Sequence, residues 1–347
     1  MPNTNNFILR TTIFTIVFFL TQYCISQEQQ AKLMFWNFEN LFNPSNDISP
    51  GDDPYTPKGE NHWTKAKLNQ KLQRLAKTII SVGEGNLPWA IGFCEVEDDS
   101  VINKLIRFTP LSLGKFRSVH YESNDPRGID VGLIYRADQL DLLSACPLEI
   151  TDNSNNGKIY REILFCLFDY REKAKLILLI NHWPSRYGGR EASEHGRIRC
   201  AERLNVIADS LAREWPEAII LAMGDFNDEP NDYSIEIVLG ATGYNCEKQG
   251  RWINLLKDYS ENSKIGTIKH QAHWSTFDQI LVFNHNPNVI NRHLTIKERS
   301  GAIFSASFLL VEDQTWGGLK PFRTYQGPTY LGGFSDHLPV YITLISD

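Results

Sequence analysis

The sequence predicts one layered α/β domain of ordinary globular composition. Three observations carry this. Short apolar runs bounded by turn residues are interleaved with two longer stretches that read as helices. No internal repeat, low-complexity tract or linker divides the chain, although 347 residues could hold two domains on size alone. Hydrophobic residues make up 42% and charged residues 22%, which excludes a disordered chain, a collagen and a polytopic membrane protein.

Residues 1–26 stand apart as a leader. Arg10 provides a thin positive region, residues 13–20 (IFTIVFFL) an apolar stretch, and Cys24 and Ser26 the small residues before a cleavage point at Gln27. The stretch is well short of the ~20 residues a membrane span needs. The chain is therefore read as exported, periplasmic or extracellular, with a signal peptide cut near Ser26 and 27–347 as the mature domain. Lipid attachment at Cys24 is the alternative, and the bulky Tyr23 argues against it. The remaining cysteines are Cys94, Cys146, Cys166, Cys200 and Cys246, an odd number without a C-x-x-C pair. Neither a disulfide framework nor a zinc site is indicated, and Cys94 and Cys166 lie in apolar runs that read as core.

The elements then follow in order. Residues 32–37 (KLMFWN) form an apolar strand, and 43–63, rich in Pro, Gly, Asn and Asp, a long surface loop. Residues 64–80 place Leu68, Leu72, Leu75 and Ile79 at helical spacing. Residues 90–95 (AIGFCE) and 128–136 (GIDVGLIYR) read as buried strands. A turn at 152–157 precedes two strands, 163–170 and 176–182, that pair as a hairpin around Arg171, Glu172 and Lys173. A Gly- and Arg-rich loop opens a helix at 198–214. Strands at 218–223, 277–283 and 340–345 complete the pattern.

Apolar runs repeatedly end in polar, chemistry-capable residues: LMFW at Asn37, IGFC at Glu95, LILLI at Asn181 and His182, IILAM at Asp225 and Asn227. Strand ends gathered on one edge are where α/β proteins place their sites. Taken singly, each residue has an ordinary reading. Asn37 fits a strand-end cap, Glu95 with Glu97, Asp98 and Asp99 a solvated turn, and His182 a hydrogen-bonded core histidine. Asp225 and Asn227 fit an Asx turn, Asp278 a buried acceptor, and Ser335, Asp336 and His337 a turn before the last strand.

Together and in this order, FWNFENLF, FCEVED, RGIDVGLIYR, INHWPSRYGG, MGDFNDEP, STFDQILV and FSDHLPVYI resemble the endonuclease/exonuclease/phosphatase family, over roughly residues 32–345. The resemblance implies a four-layer α/β sandwich, with two packed mixed β-sheets flanked by helices and a groove at one sheet edge. It implies a metal-dependent phosphoester hydrolase, foremost a secreted endonuclease or phosphodiesterase acting on nucleic acid or a small or lipid phosphodiester. The alternative is a phosphatase or a sphingomyelinase-like phospholipase C. A non-catalytic binding protein on this fold would be expected to lack some of Glu95, Asp225, Asn227, Asp278 and His337, and all are present.

Phosphoester cleavage needs a nucleophilic water, charge neutralisation on the phosphoryl oxygens and help for the leaving oxygen. A hard cation held by oxygens meets the second need. The resemblance makes Glu95 a metal ligand, with Asn37 and Asp336 completing an oxygen-rich shell that suits Mg²⁺ or Mn²⁺ over Zn²⁺. Asp278 and His337 match the family's Asp–His pair, in which the carboxylate orients the imidazole; the histidine acts as general base or stabilises the phosphoryl oxygens. Asp225 orients or deprotonates water, and Asn227 hydrogen-bonds a phosphoryl oxygen or Asp225. His182 assists as an acid or phosphate donor, with Asp130 as its carboxylate partner. Arg186 and Arg190 grip a second phosphate or an anionic head group, or else belong to a solvated loop. Arg323 and Tyr325, and with the same standing Arg127, line the groove or pack a loop. Trp183 and Trp274 fit packing better than base stacking. The formal charge of -6 disfavours salt-driven coating of DNA. No stable protein partner is implied, and no amphipathic membrane helix stands out.

Overall fold

Two mixed seven-stranded sheets pack against each other, with helices outside them. The computed structural model describes residues 29–45, 53–244, 251–262, 264–285 and 293–347. The leader at 1–26, part of the 43–63 loop and Cys246 lie outside the described residues. Among the described residues, no helix is long and apolar enough to cross a membrane.

The first sheet takes β1 (Gln29–Leu41), β2 (Ala90–Val96), β3 (Phe116–His120) and β4 (Asp130–Arg136). The chain then enters the second with β5 (Asp141–Asp152), β6 (Lys158–Tyr170), β7 (Ala174–His182), β8 (Ile219–Asp225), β9 (Ala241–Thr242) and β10 (Trp252–Asn254). A small hairpin, β11 (Ile268–His270) and β12 (His273–Ser275), precedes β13 (Asp278–Phe283). The chain returns to the first sheet with β14 (Leu294–Ile296) and β15 (Ala302–Ile303). It then forms two short hairpins, β16 (Leu310–Glu312) with β17 (Leu319–Pro321) and β18 (Tyr325–Gln326) with β19 (Thr329–Tyr330), and ends in β20 (Val340–Ser346). The first sheet runs β14-β20-β1-β2-β4-β3, with β15 also on β20; the second runs β5-β6-β7-β8-β13-β10-β9. The parallel neighbours β1–β2 and β7–β8 bring their C-terminal ends to common edges.

Local chemistry accounts for the elements. Helix α1 (Lys65–Gly83) starts where the Thr64 side chain accepts from the Lys67 amide, and it buries Leu68, Leu72, Leu75 and Ile79. The acidic run after Glu95 is not a solvated turn. Asp98 caps α2 (Asp99–Arg107), which buries Val101, Ile102, Leu105 and Ile106. Helix α3 (Arg190–Glu214) begins eight residues before the expected start, directly after Gly189. The β6–β7 hairpin turns through Arg171 and Glu172, both at positive φ (50° and 58°), the backbone of a type I′ turn.

Strand β7 shows why its sequence is continuously apolar. Leu176, Leu178 and Ile180 face the core between the sheets, whereas Ile177 and Leu179 face the cluster that contains Leu204 and Ala208 of α3. Period-two alternation with both faces covered leaves no polar position. Between the sheets the approach is close at Gly92, where a Cβ would lie 2.9 Å from Ile180 Cδ1 and 3.1 Å from Met223 Sδ.

Candidate active site

The registers deliver the polar strand ends to one place. His182 at the end of β7 stands opposite Asp225 at the end of β8, and Asp278, first in β13, stands opposite Asp225 on its other side. The second sheet thus presents His182, Asp225 and Asp278 on one rung. The first sheet reaches across: Asn37 Nδ2 donates to Asp225 Oδ2 at 3.2 Å. His337, from the segment before β20, places Nδ1 2.6 Å from Asp278 Oδ2 and Nε2 3.9 Å from Asp225 Oδ2. His182 Nε2 lies at the same 3.9 Å from that oxygen. All five residues are buried. Asn227 (φ 51°) occupies the left-handed region; this folds its amide back onto Asp225 Oδ1 at 3.0 Å. Glu95 (φ 60°), at the end of β2, is also left-handed. Such backbone in non-glycine residues costs energy and clusters at functional sites.

Their surroundings drive the two histidines in opposite directions. Burial disfavours charge on both, but Asp278 and Asp225 outweigh it at His337 and hold that imidazole protonated well above the usual histidine range. At His182 burial is reinforced by the charges of Arg161, Arg127 and His337, which keep it neutral. Its Nδ1 makes no hydrogen bond. Burial pushes Asp225 up to about 7, against the pull of the His337 charge and with the help of Asp278. Environments that drive neighbouring groups apart in this way mark acid–base sites. Cys94, the Asn37 partner across β1–β2, closes the back of this cluster: its sulfur lies within 4.8 Å of ligand atoms of His182 and Asp225.

Beside the imidazoles lies an acidic basin. Glu95 accepts from Arg127 at 3.1 Å and from the Asn40 amide at 3.1 Å. Asp336 accepts from Arg323 at 3.0 Å. Glu39, which the sequence reading passed over although it lies two residues after Asn37, is buried and accepts from the Thr324 amide at 2.6 Å. Burial and then the Asp336 charge raise its pKa, and the buried Lys71 ammonium lies 3.8 Å from it. Glu95, Glu39 and Asp336 all oppose ionisation of Tyr55, after burial itself, so the three carboxylates share one field. Mutual repulsion among oxygen-only donors is what a hard divalent cation would relieve. Arg127 and Arg323 supply the countercharge here, each turned onto one of the carboxylates. Among the described residues, the ligand atoms that crowd within 4.8 Å of one another at this edge belong to Asp225, Asp278 and His337 and to Cys94, His182 and Asp225. Asn37 faces Asp225 with its amide nitrogen, and its Oδ1 accepts from the Glu39 amide at 2.8 Å.

Several expected contacts are replaced by others. Asp130 is not the partner of His182: it accepts from His120 Nε2 at 3.0 Å through Oδ2 and from the Ser123 amide through Oδ1. Its strand, β4, belongs to the first sheet, whereas His182 ends a strand of the second. Both oxygens of Asp130 are thus engaged within its own sheet and the adjoining loop. Arg186 and Arg190 do not present free guanidinium groups. Arg186 donates to the Asn227 carbonyl and to Asp228, both at 2.7 Å, and pairs with Asp232; Arg190 pairs with Asp232 at 2.5 Å. Asp228 and Asp232 of GDFNDEPND take both arginines. The Asn227 side chain donates to the Trp183 carbonyl at 3.0 Å, and only its backbone reaches Asp225. Arg323 does stand at the basin, whereas Tyr325 is buried, donates to the Asn61 carbonyl at 2.8 Å and packs among Tyr55, Trp63 and Tyr330. Trp183 is buried edge-on against Phe226. Arg161, also passed over in the sequence, donates to the carbonyls of His182 and Trp183.

A family model described as "Endonuclease/Exonuclease/phosphatase family" matches residues 32–346. No curated protein matches the chain. Among solved structures, D. rerio TDP2 with 14 humanizing mutations is similar at a TM-score of 0.54 and 15% identity, covering 91% of this chain and 98% of that one. An endonuclease/exonuclease/phosphatase family protein from Bacteroides thetaiotaomicron is similar at 0.55 and 12%, covering 92% and 99%. The mannosyl-6-phosphatase of Bacteroides thetaiotaomicron is similar at 0.54 and 13%, covering 90% and 99%. At these identities the likeness is one of fold.

Proposed function

Because the chain belongs to the endonuclease/exonuclease/phosphatase family, we propose that it is a divalent-metal-dependent phosphodiesterase, exported by the leader at 1–26. The observation that carries this reading is the buried Asp225 carboxylate, set between two imidazoles of opposite charge state. A carboxylate with a pKa about 7 is matched to taking a proton from water near neutrality. Asn37 and the Asn227 amide hold it by one oxygen each. His337, fixed by Asp278 in surroundings that favour its protonated form, places positive charge where phosphoryl oxygens gain negative charge. Neutral His182 carries one ring proton and one lone pair, and it assists the leaving oxygen or holds the phosphate. Glu95, Asp336 and Glu39 would hold Mg²⁺ or Mn²⁺, and Asn37 would join them after its amide turns. The cation supplies charge neutralisation on the phosphoryl group.

The test incubates the full chain with plasmid DNA and with bis(4-nitrophenyl) phosphate, with Mg²⁺ or Mn²⁺ and then with EDTA. Hydrolysis that stops on chelation and returns with metal is expected. Activity that survives complete chelation overturns the metal dependence, and no hydrolysis of any phosphoester overturns the enzyme reading.

A further inference from the structure

A cavity of about 340 Å³ opens between the segment before β4, the start of β6 and the loop after β7. Its walls continue into the site. Arg127 holds Glu95 at 3.1 Å, and Arg161 holds the carbonyls of His182 and Trp183 at 2.9 Å each. Pro184 and Ser185, also in its wall, follow His182 directly in the loop. A group in this cavity therefore adjoins whatever is cleaved.

The lining joins two chemistries. Three cations, Arg127, Lys158 and Arg161, face a single carboxylate, Asp125, which Arg161 engages at 2.5 Å. The Lys158 ammonium lies 5.1 Å over the Tyr160 ring and makes no ion pair among the described residues. Beside these cations is apolar surface: Tyr187 is 96% exposed and Ile159 48%. Exposed rings of this kind are stacking platforms for bases, and guanidinium and ammonium groups match phosphate. A nucleotide presents both parts at this size, and neither a bare anion nor an apolar group uses the whole lining.

We propose that this cavity is a subsite for a second nucleotide unit, in which Lys158 takes a phosphate other than the one cleaved and Tyr187 stacks on the base. The inference rests on the phosphodiesterase reading and narrows its substrate to a short nucleotide chain. The subsite moves the second-phosphate role from Arg186 and Arg190, which are engaged by carboxylates, to Lys158, which makes no ion pair among the described residues. The acidic net charge is no obstacle, because recognition is local and brief rather than a coating of duplex.

The experiment compares dithymidine monophosphate with its 5′-phosphorylated and 3′-phosphorylated forms, and with bis(4-nitrophenyl) phosphate, on the full chain with Mg²⁺. One terminal phosphate is expected to raise kcat/KM by roughly 10-fold or more. Lys158→Ala should bring that ratio close to one, and Lys158→Arg should restore it. Tyr187→Ala should lower the preference for dinucleotides over bis(4-nitrophenyl) phosphate by roughly 5-fold. Lys173→Ala, at the far β6–β7 turn where it pairs with Asp347, should leave the phosphate ratio unchanged. A terminal phosphate without effect at either end, or a gain that survives Lys158→Ala, overturns the subsite. An equal gain from a phosphate on a ring-free glycerol phosphodiester overturns its assignment to a nucleotide. Hydrolysis of bis(4-nitrophenyl) phosphate together with either result leaves the enzyme reading standing; hydrolysis of none of these substrates removes both.

Discussion

Asp278 Oδ2 and His337 Nδ1 stand 2.6 Å apart in a pair that is buried on both sides. Asp278 opens β13 of the second sheet, His337 lies in the segment before β20 of the first, and the second Asp278 oxygen has no hydrogen bond. The hydrogen-bonding oxygen of Asp278 thus fixes the imidazole, and its charge favours the protonated ring.

Asp278→Asn keeps the shape and removes that charge, so His337 should lose its proton at neutral pH. We expect kcat/KM on bis(4-nitrophenyl) phosphate to fall by at least ~10², with a circular-dichroism spectrum like that of the unaltered protein. A rate within a few-fold of the unaltered enzyme removes the pair from the site.

The pH dependence of stability follows from Asp225. Its folded pKa is raised from 3.8 to about 7, so the folded state binds the proton more tightly than the unfolded chain. That contribution is fully present below the unfolded value and is lost as pH rises from about 4 to about 7. Asp225→Asn removes it. In EDTA, the variant's stability relative to the unaltered protein should therefore increase across this window, by up to about 1.4 kcal/mol per pH unit, and level off above it. A difference independent of pH in thermal melts contradicts the assignment, whatever its sign.

Glu95 is held by Arg127 and by a backbone amide rather than by other side-chain oxygens. Glu95→Gln should raise the Mg²⁺ concentration for half-maximal activity by roughly 10-fold or more. Titration of activity with Mg²⁺ measures this, and an unchanged midpoint with lowered kcat would make Glu95 a substrate contact instead.

Arg186 clamps the segment that carries Asp225 and Asn227. It touches the Asn227 carbonyl and Asp228, and Asp228 is also paired with the buried Arg197. Arg186→Ala should cost about 2 kcal/mol or more in denaturant unfolding. Arg190 is more exposed and pairs only with Asp232, so Arg190→Ala should cost less than about 1 kcal/mol. Equal costs would show that the two arginines do not differ as described.

The elements were legible where the chain speaks locally. The period of Leu68, Leu72, Leu75 and Ile79 requires a helix, and the both-faces-apolar run of β7 requires a strand covered on two sides. Helix α2 was obscured because the acids around its Asp98 cap read equally well as a solvated turn; the four apolar residues after it were the available signal. The ordered motifs brought Asn37, Glu95, His182, Asp225, Asp278 and His337 forward together, although each alone had an ordinary explanation.

What the sequence determined by itself was therefore which residues close each strand, since a polar side chain after an apolar run must leave the core wherever the strand ends. What only the tertiary structure decided was pairing. Asp130 turns to His120 of the adjacent strand; Arg186 and Arg190 turn inward because Asp228 and Asp232 fold against them; and Lys158 is left without a carboxylate among the described residues. Charge partners are chosen by separation in space, which falls off within a few ångströms, and no spacing along the chain encodes a contact that two different sheets make across their common edge.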